Sequence, residues 1–263
     1  MQNTVIVSKL RWGGGLSKAG VPFYYSLGLS RTAFTLAEVL ITLGIIGIVA
    51  AMTIPTLVAN YRGNVLQTQT KKAYSILSQA LQQMQYDTGQ IPNHENYGSE
   101  QGANETGGGK FMDTFRPYFL SFGNCKTREC ITQSYNDEDG TLVSGLTNKY
   151  RNYNNTSDVS TGRFDDGQMI MSDGMFLMVE NYTAEILLTI DVNGLNNKPN
   201  RWGHDLFTFQ IDEKSGKLLP MGAPNTKYSE SSYCNTDSNS SFNGIGCTYK
   251  AITDKEYFKN LPK

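Results

Sequence analysis

Residues 31–57 read RTAFTLAEVLITLGIIGIVAAMTIPTL, an apolar run with a single acidic residue, Glu38, near its start. From Phe34 to Ala59 the only other polar side chains are a few threonines. At about 1.5 Å per residue, a helix of this length exceeds the ~30 Å hydrocarbon core of a bilayer. The run therefore predicts a transmembrane helix over residues 34–59.

Two other interpretations of this run fit less well. A cleaved secretory signal has a shorter apolar core and then a small-x-small site, for which residues 49–51 (VAA) are a poor match. A buried core helix is usually shorter and has one polar face, whereas this run is apolar all round.

Charge is distributed unevenly along the chain. Four of the 23 Lys and Arg residues precede Phe34, where there is no acid, which leaves 19 against 24 Asp and Glu in the rest. Residues 1–33 are thus predicted to be a basic leader peptide that stays in the cytoplasm, with the acidic body outside. An acidic body without a basic stripe also argues against nucleic acid as a partner.

The cysteines all follow the apolar run and form two local pairs: Cys125 with Cys130, and Cys234 with Cys247. An even number on one side of a membrane favours disulfides in an oxidising compartment. Zinc is the competing interpretation, but the spacing is not C-x2-C and both histidines are remote. Of the three connectivities, we favour the sequential pairing.

Beyond the apolar run, residues 60–89 predict an amphipathic continuation of the same helix. One apolar stripe recurs at helical spacing: Leu66, Ala73, Leu77, Ala80 and Met84. Gly89 and Pro92 then end the pattern. The prediction is one helix of more than fifty residues, with a second half that packs on a globular domain.

Residues 90–263 are predicted to form that extracytoplasmic domain. Period-two patterns mark strands at residues 168–172, 175–181, 185–192 and 205–212, with a further turn before 217–219. The dipeptide Asp173-Gly174 indicates a type I′ hairpin. The predicted fold class is α+β: a long N-terminal helix packed on one face of an antiparallel sheet of about four strands.

Residues 98–109 and 148–162 are predicted to be surface loops. Residues 223–246 are predicted to be a tail that the second cysteine pair holds in place.

The segment AFTLAEVLITLGIIGIVAAMTIP, residues 33–55, resembles the class III signal of the type IV prepilin and type II secretion pseudopilin family. That signal usually has glycine before Phe-Thr-Leu and then glutamate; this chain has Ala33 instead of the glycine. The resemblance implies a pilin-like fold, cleavage by a prepilin peptidase between Ala33 and Phe34, and methylation of the new amine. It also implies a structural subunit of a pilus-like fibre, with other subunits and an inner-membrane assembly platform as partners.

Glu38 and Pro55 acquire roles from this resemblance. A carboxylate within a bilayer costs at least ~2.5 kcal/mol, so it needs a partner or a place at the edge. After cleavage, the amine of Phe34 on the same or a neighbouring subunit would pair with Glu38 during assembly. Pro55 removes one backbone hydrogen bond and is expected to kink the helix.

Asp191, Asn193 and Asp205 are candidate calcium ligands, since the pseudopilin family includes subunits with calcium in a loop between strands. The EF-hand order fails because Gly194 occupies the fourth position rather than the sixth. We favour the alternative, an Asn/Gly/Pro loop with Asx turns, and predict no cofactor.

The sequence also predicts that the chain is not an enzyme. The motifs H-E-x-x-H, the phosphate loop and G-x-S-x-G are each incomplete or missing. Type II secretion pseudopilin and type IV pilin both fit the N-terminal segment. The alternative of another class is a membrane-tethered extracytoplasmic domain for binding or adhesion.

Overall fold

The computed structural model describes residues 34–98, 109–120, 135–136, 142–143, 149–159, 164, 166–181 and 185–262. The chain divides into two units, Met1–Val49 and Ala50–Lys263. The boundary between them falls within the long first helix.

Helix α1, Leu36–Thr88, is a single helix of 53 residues, as the sequence predicts. It continues through Pro55 without interruption. The next residue, Gly89, has φ 67° and donates its N–H to the carbonyl of Gln85 at 3.0 Å. Glycine adopts this left-handed conformation at little cost, which explains why the helix ends there.

The main sheet has five antiparallel strands in chain order: β3 Gly167–Ile170, β4 Phe176–Glu180, β5 Leu187–Asp191, β6 Leu206–Ile211 and β7 Leu218–Pro220. A separate two-stranded sheet pairs β1 Tyr135–Asn136 with β2 Leu142–Val143. The antiparallel arrangement is confirmed, whereas the expected strand number of about four was too low. The fifth strand, β7, is only three residues long, which is why its sequence pattern is weak.

The turn between β3 and β4 differs from the predicted type I′ hairpin. A type I′ turn needs positive φ at both central residues, but here only Gly174, with φ 85°, is positive and Asp173 is not. The N–H of Gly174 donates to the carbonyl of Met171 at 2.9 Å, and the N–H of Met171 donates to the carbonyl of Met175 at 2.9 Å, which leaves three residues between the paired strands. The connection is therefore longer than two residues, and the carboxylate of Asp173 is free to bind Lys72 of α1 at 2.8 Å.

The second half of α1 packs on one face of the sheet. Four predicted stripe residues are buried and the fifth, Leu66, is partly buried; the buried four are Ala73, Leu77, Ala80 and Met84. Tyr74 stacks on Phe209 of β6 with ring centroids 5.7 Å apart, and its hydroxyl donates to the carbonyl of Leu218 at 3.4 Å. These contacts confirm the α+β class and show that the apolar stripe of residues 60–89 packs on the sheet.

The opposite face of the sheet is also buried, which the sequence analysis missed. A second apolar cluster covers it, with Trp202 and Tyr150 among its fully buried members. Part of that cover comes from residues 149–159, which lie within the predicted surface loop at 148–162, and part from the 223–246 tail, through Tyr228 and Ile245. The near-continuous apolar runs of β4 and β6 are typical of strands that are buried on both faces.

Short helices complete the described chain: α2 His94–Tyr97, α3 Gly109–Phe115, α4 Glu230–Tyr233 and α5 Thr248–Thr253, with 3-10 turns at Arg116–Tyr118, Ile245–Cys247 and Tyr257–Lys259. A disulfide joins Cys234 to Cys247, as predicted, and ties α4 to the segment before α5. Cys125 and Cys130 lie outside the described residues, as does most of the predicted loop at 98–109.

The packing of α1 on the sheet gives a direct stability test. Leu77→Ala should lower the free energy of unfolding by about 2–5 kcal/mol, because it leaves a cavity under the sheet. The measurement is thermal or denaturant unfolding of the full chain in detergent. Leu43→Ala, at a position that is 61% exposed, is the matched control and should change the unfolding transition very little. Equal effects of the two substitutions would contradict this packing.

Candidate functional site

The start of α1 is held by two side chains that bond to each other. The backbone N–H and the hydroxyl of Thr35 both donate to Oε2 of Glu38, at 2.9 Å and 2.7 Å. In return, the N–H of Glu38 donates to the hydroxyl oxygen of Thr35 at 3.2 Å. Reciprocal bonds between an N-cap threonine and a glutamate three residues later form a capping box, which fixes the first turn of a helix.

The capping box gives Glu38 a partner within its own chain. Glu38 lies in the first turn of α1, in agreement with its place near the start of the apolar run, but Thr35 was not predicted as its partner. The spacing T-x-x-E at Thr35 and Glu38 is the signal that could have revealed it. Both donors of Thr35 bond to Oε2, and within the described part of the chain Oε1 accepts no hydrogen bond.

Around this capping box, the surface of α1 is apolar and exposed. Phe34 is 84% exposed, and large apolar side chains from Leu36 to Val58 are exposed as well. Phe34, Glu38, Val39 and Thr42 line a shallow depression at the start of the helix. Ala33, the residue before the predicted cleavage site, lies outside the described residues.

Among the described residues, α1 is the one helix that is long and apolar enough to cross a membrane. None of its most apolar window is buried within the protein. A continuous apolar surface of this size is unfavourable in water, so it needs lipid or other protein to cover it.

The three calcium candidates form a second cluster, in and beside the loop between β5 and β6. Asp191 and Asp205 are fully buried, and Asn193 donates its side-chain N–H to Oδ2 of Asp205 at 3.2 Å. Asp191 accepts from the N–H of Gly194 at 2.9 Å and from the hydroxyl of Tyr150 at 2.8 Å. Nothing in the sequence linked Tyr150 to this loop.

The hydrogen bonds of Asp205 fold the loop back on itself. Its Oδ1 accepts from the N–H of Arg201 at 2.7 Å, and its Oδ2 also accepts from the N–H of Asn200 at 2.8 Å. Burial nevertheless raises the pKa of Asp205 to about 6, although these donors act to lower it. Burial, with the nearby charge of Asp205, raises the pKa of Asp191 to about 7.

The structure thus brings Asp191, Asn193 and Asp205 together, and the carboxylate oxygens of the two aspartates are bonded to donors of the chain itself. This arrangement agrees with the Asx-turn interpretation of the loop. The described residues contain no group of three or more His, Cys, Asp or Glu side chains that could hold a metal ion. The preference for a loop without calcium stays a prediction.

The fold and these sites describe a class of protein: an α+β domain joined to a helix of membrane-spanning length. Comparisons with protein-family models, curated proteins and solved structures found no match to this chain.

The buried carboxyl group of Asp191 should make stability depend on pH. Burial raises the pKa of Asp191 to about 7 in the fold, from the ordinary aspartate value of 3.8. Between these values the folded state binds more protons than the unfolded state, so stability falls as pH rises from about 4 to about 7. Relative to Asp191→Asn, the wild-type chain should therefore lose about 2 kcal/mol of unfolding free energy between about pH 5 and about pH 8.

The measurement is denaturant unfolding of both chains in detergent across this pH range. Comparison with the variant cancels the opposite contribution of His204, whose pKa burial lowers to about 4. Parallel pH curves for the two chains would show that Asp191 does not titrate in this way.

Proposed function

We propose that this protein is a structural subunit of a pilus-like fibre, either a type II secretion pseudopilin or a type IV pilin. The observation that supports the proposal most is the start of α1. A single acidic residue, Glu38, lies in the first turn of an exposed apolar helix of membrane-spanning length, with Phe34 four residues before it. The antiparallel sheet on the second half of that helix is compatible with a pilin-like domain.

In the proposed pathway the chain inserts with its leader in the cytoplasm and its sheet domain outside the inner membrane. A prepilin peptidase cuts between Ala33 and Phe34 and methylates the new amine. The amine then lies one residue before Thr35, beside the capping box. The protein is held by α1 until an assembly platform packs the helices of successive subunits into a fibre.

Glu38 would select the incoming subunit. Its Oε2 is bonded to Thr35, and its Oε1 accepts no hydrogen bond from the described residues, so Oε1 can accept from the ammonium of a neighbouring Phe34. In a low-dielectric bundle of helices, a carboxylate without a positive partner is costly. A subunit that brings its ammonium into register removes this cost.

A membrane tether for a binding domain is the second candidate, and the capping box is the observation that favours it. The bonds to Thr35 explain why a glutamate occupies position 38 without any partner subunit. A tether needs only the cap, whereas a fibre subunit needs the negative charge.

Two substitutions separate the cap from the charge. Glu38→Gln retains a capping box, since glutamine also serves at this position, but removes the charge. It should reach the membrane at the wild-type level and reduce incorporation into fibres more than tenfold, because a buried pair that loses one charge costs several kcal/mol. Thr35→Ala keeps the charge and loses only a cap of about 1 kcal/mol, so it should still assemble.

The measurement is the amount of each variant in the membrane and in sheared fibres, in cells that express the assembly machinery. Normal fibres from Glu38→Gln, or an equal loss from both variants, would reject the pairing of Glu38. Absence of the wild-type chain from the fibres would reject the fibre proposal and favour the tether.

A further inference from the structure

Charged side chains delimit the apolar part of α1 at both ends. After Glu38 the next charged residue is Arg62, and the residues 39–61 between them carry no charge. As a helix these residues measure about 35 Å, slightly more than the ~30 Å hydrocarbon core. If the helix spans the membrane, as in the proposed function, Arg62 therefore marks the outer edge of the hydrocarbon.

The globular unit contacts α1 immediately after that edge. Gly63 is buried against Phe258, and a Cβ atom at this glycine would lie 3.2 Å from the Cβ of Phe258. One turn later, the side-chain amide of Gln67 donates to the carbonyl of Asp254 at 3.2 Å. The C-terminal segment, residues 254–262, is thus fixed to the first two turns of α1 beyond Arg62.

This attachment brings the C-terminal segment to the membrane surface. The polar headgroup region adds about 5–8 Å on each side of the hydrocarbon core. Gly63 follows Tyr61 by two residues, or about 3 Å along the helix. The contact with Phe258 therefore falls at the depth of the headgroups, so the segment that carries Phe258 lies next to them.

The exposed side chains on this segment suit lipid phosphates. Lys255 and Lys259 are exposed, and so is Arg62, which precedes Gly63 on α1. Nζ of Lys259 lies 2.8 Å from Oε2 of Glu256, but both side chains are more than half exposed. Such an exposed ion pair is weak, so Lys259 can leave Glu256 and bind a phosphate instead. Tyr61, which is 68% exposed, is of a residue type enriched at membrane interfaces.

We propose that residues 254–262, together with Arg62, form a docking surface for the phosphate headgroups of the outer leaflet of the same membrane. Lys255 and Lys259 bind the phosphates and hold the globular unit at the membrane surface before assembly. This surface is distinct from Glu38, which belongs to the fibre interaction.

The turn between β6 and β7 provides a matched control position at the far end of α1. Gly216 in this turn approaches Pro92 and Gln85, since a Cβ atom there would lie 2.6 Å and 3.2 Å from their side chains. Gln85 is 22 residues beyond Gly63, about 33 Å along the helix. Lys214, which is exposed in the same turn, should be well clear of the lipid.

The experiment is photo-crosslinking of the full chain in vesicles of phosphatidylethanolamine and phosphatidylglycerol. A benzophenone side chain is introduced singly at position 255, 259, 214 or 48, and lipid adducts are counted by mass spectrometry. Position 48 lies in the apolar run and reports insertion. We expect adducts at 48, 255 and 259, with at least about tenfold fewer at 214.

A second set of chains tests the charges. With the probe at 255, Lys259→Glu should lower the lipid adduct yield about fivefold, whereas Lys259→Arg should preserve it. Adducts at 48 without adducts at 255 and 259 would overturn the docking surface and leave the fibre proposal intact. Protein adducts in place of lipid adducts at 255 would also overturn it, and missing adducts at 48 would overturn the membrane span itself.

Discussion

The burial of one stripe of α1 under the sheet is the interaction on which the rest of the structure depends. Leu77 and Met84 are fully buried there, and Tyr74 joins the helix to both β6 and β7. The same helix continues toward its N terminus as an exposed apolar surface without any cover from the described chain. One helix thus has two parts, one that packs on the sheet and one that is apolar and exposed, and its sequence changes character between them.

Glu38 serves a local purpose at the start of α1, and in the proposed fibre it would also serve an intermolecular one. Its Oε2 satisfies the cap with Thr35, so the isolated chain carries no unpaired carboxylate in its first turn. A negative charge remains, favoured by the N-terminal end of the helix dipole. Partner selection in the proposed fibre would act through that charge, and capping would not compete with it because the partner would bond to Oε1, whereas Thr35 bonds to Oε2.

Much of the fold could be predicted because it follows from local periodicity. The stripe that includes Ala73 and Leu77 has helical spacing, Gly89 ends the helix, and four strands alternate or run apolar between turn residues. The cap at Thr35 was equally local and could have been predicted from its spacing. The period-two pattern predicted the sheet but not its fifth strand, because the three residues of β7 are too few to show a pattern.

The second core and the polar cluster could not be predicted in the same way. Tyr150 lies in a stretch rich in Asn and Ser, where composition predicts a loop, yet it is buried and bonds to Asp191, which is 41 residues away in sequence. Similarly, Trp202 is covered by Phe164 and Phe242 from distant segments. Such burial depends on tertiary contacts between segments whose own patterns carry no periodic signal.

We propose, as the central claim, that the mature chain begins at a cleaved and N-methylated Phe34. Mass spectrometry of the N terminus of protein purified from its native membrane tests this claim most directly. The account predicts a chain that starts at N-methylated Phe34. An intact leader, or a terminus created at any other residue, would contradict it.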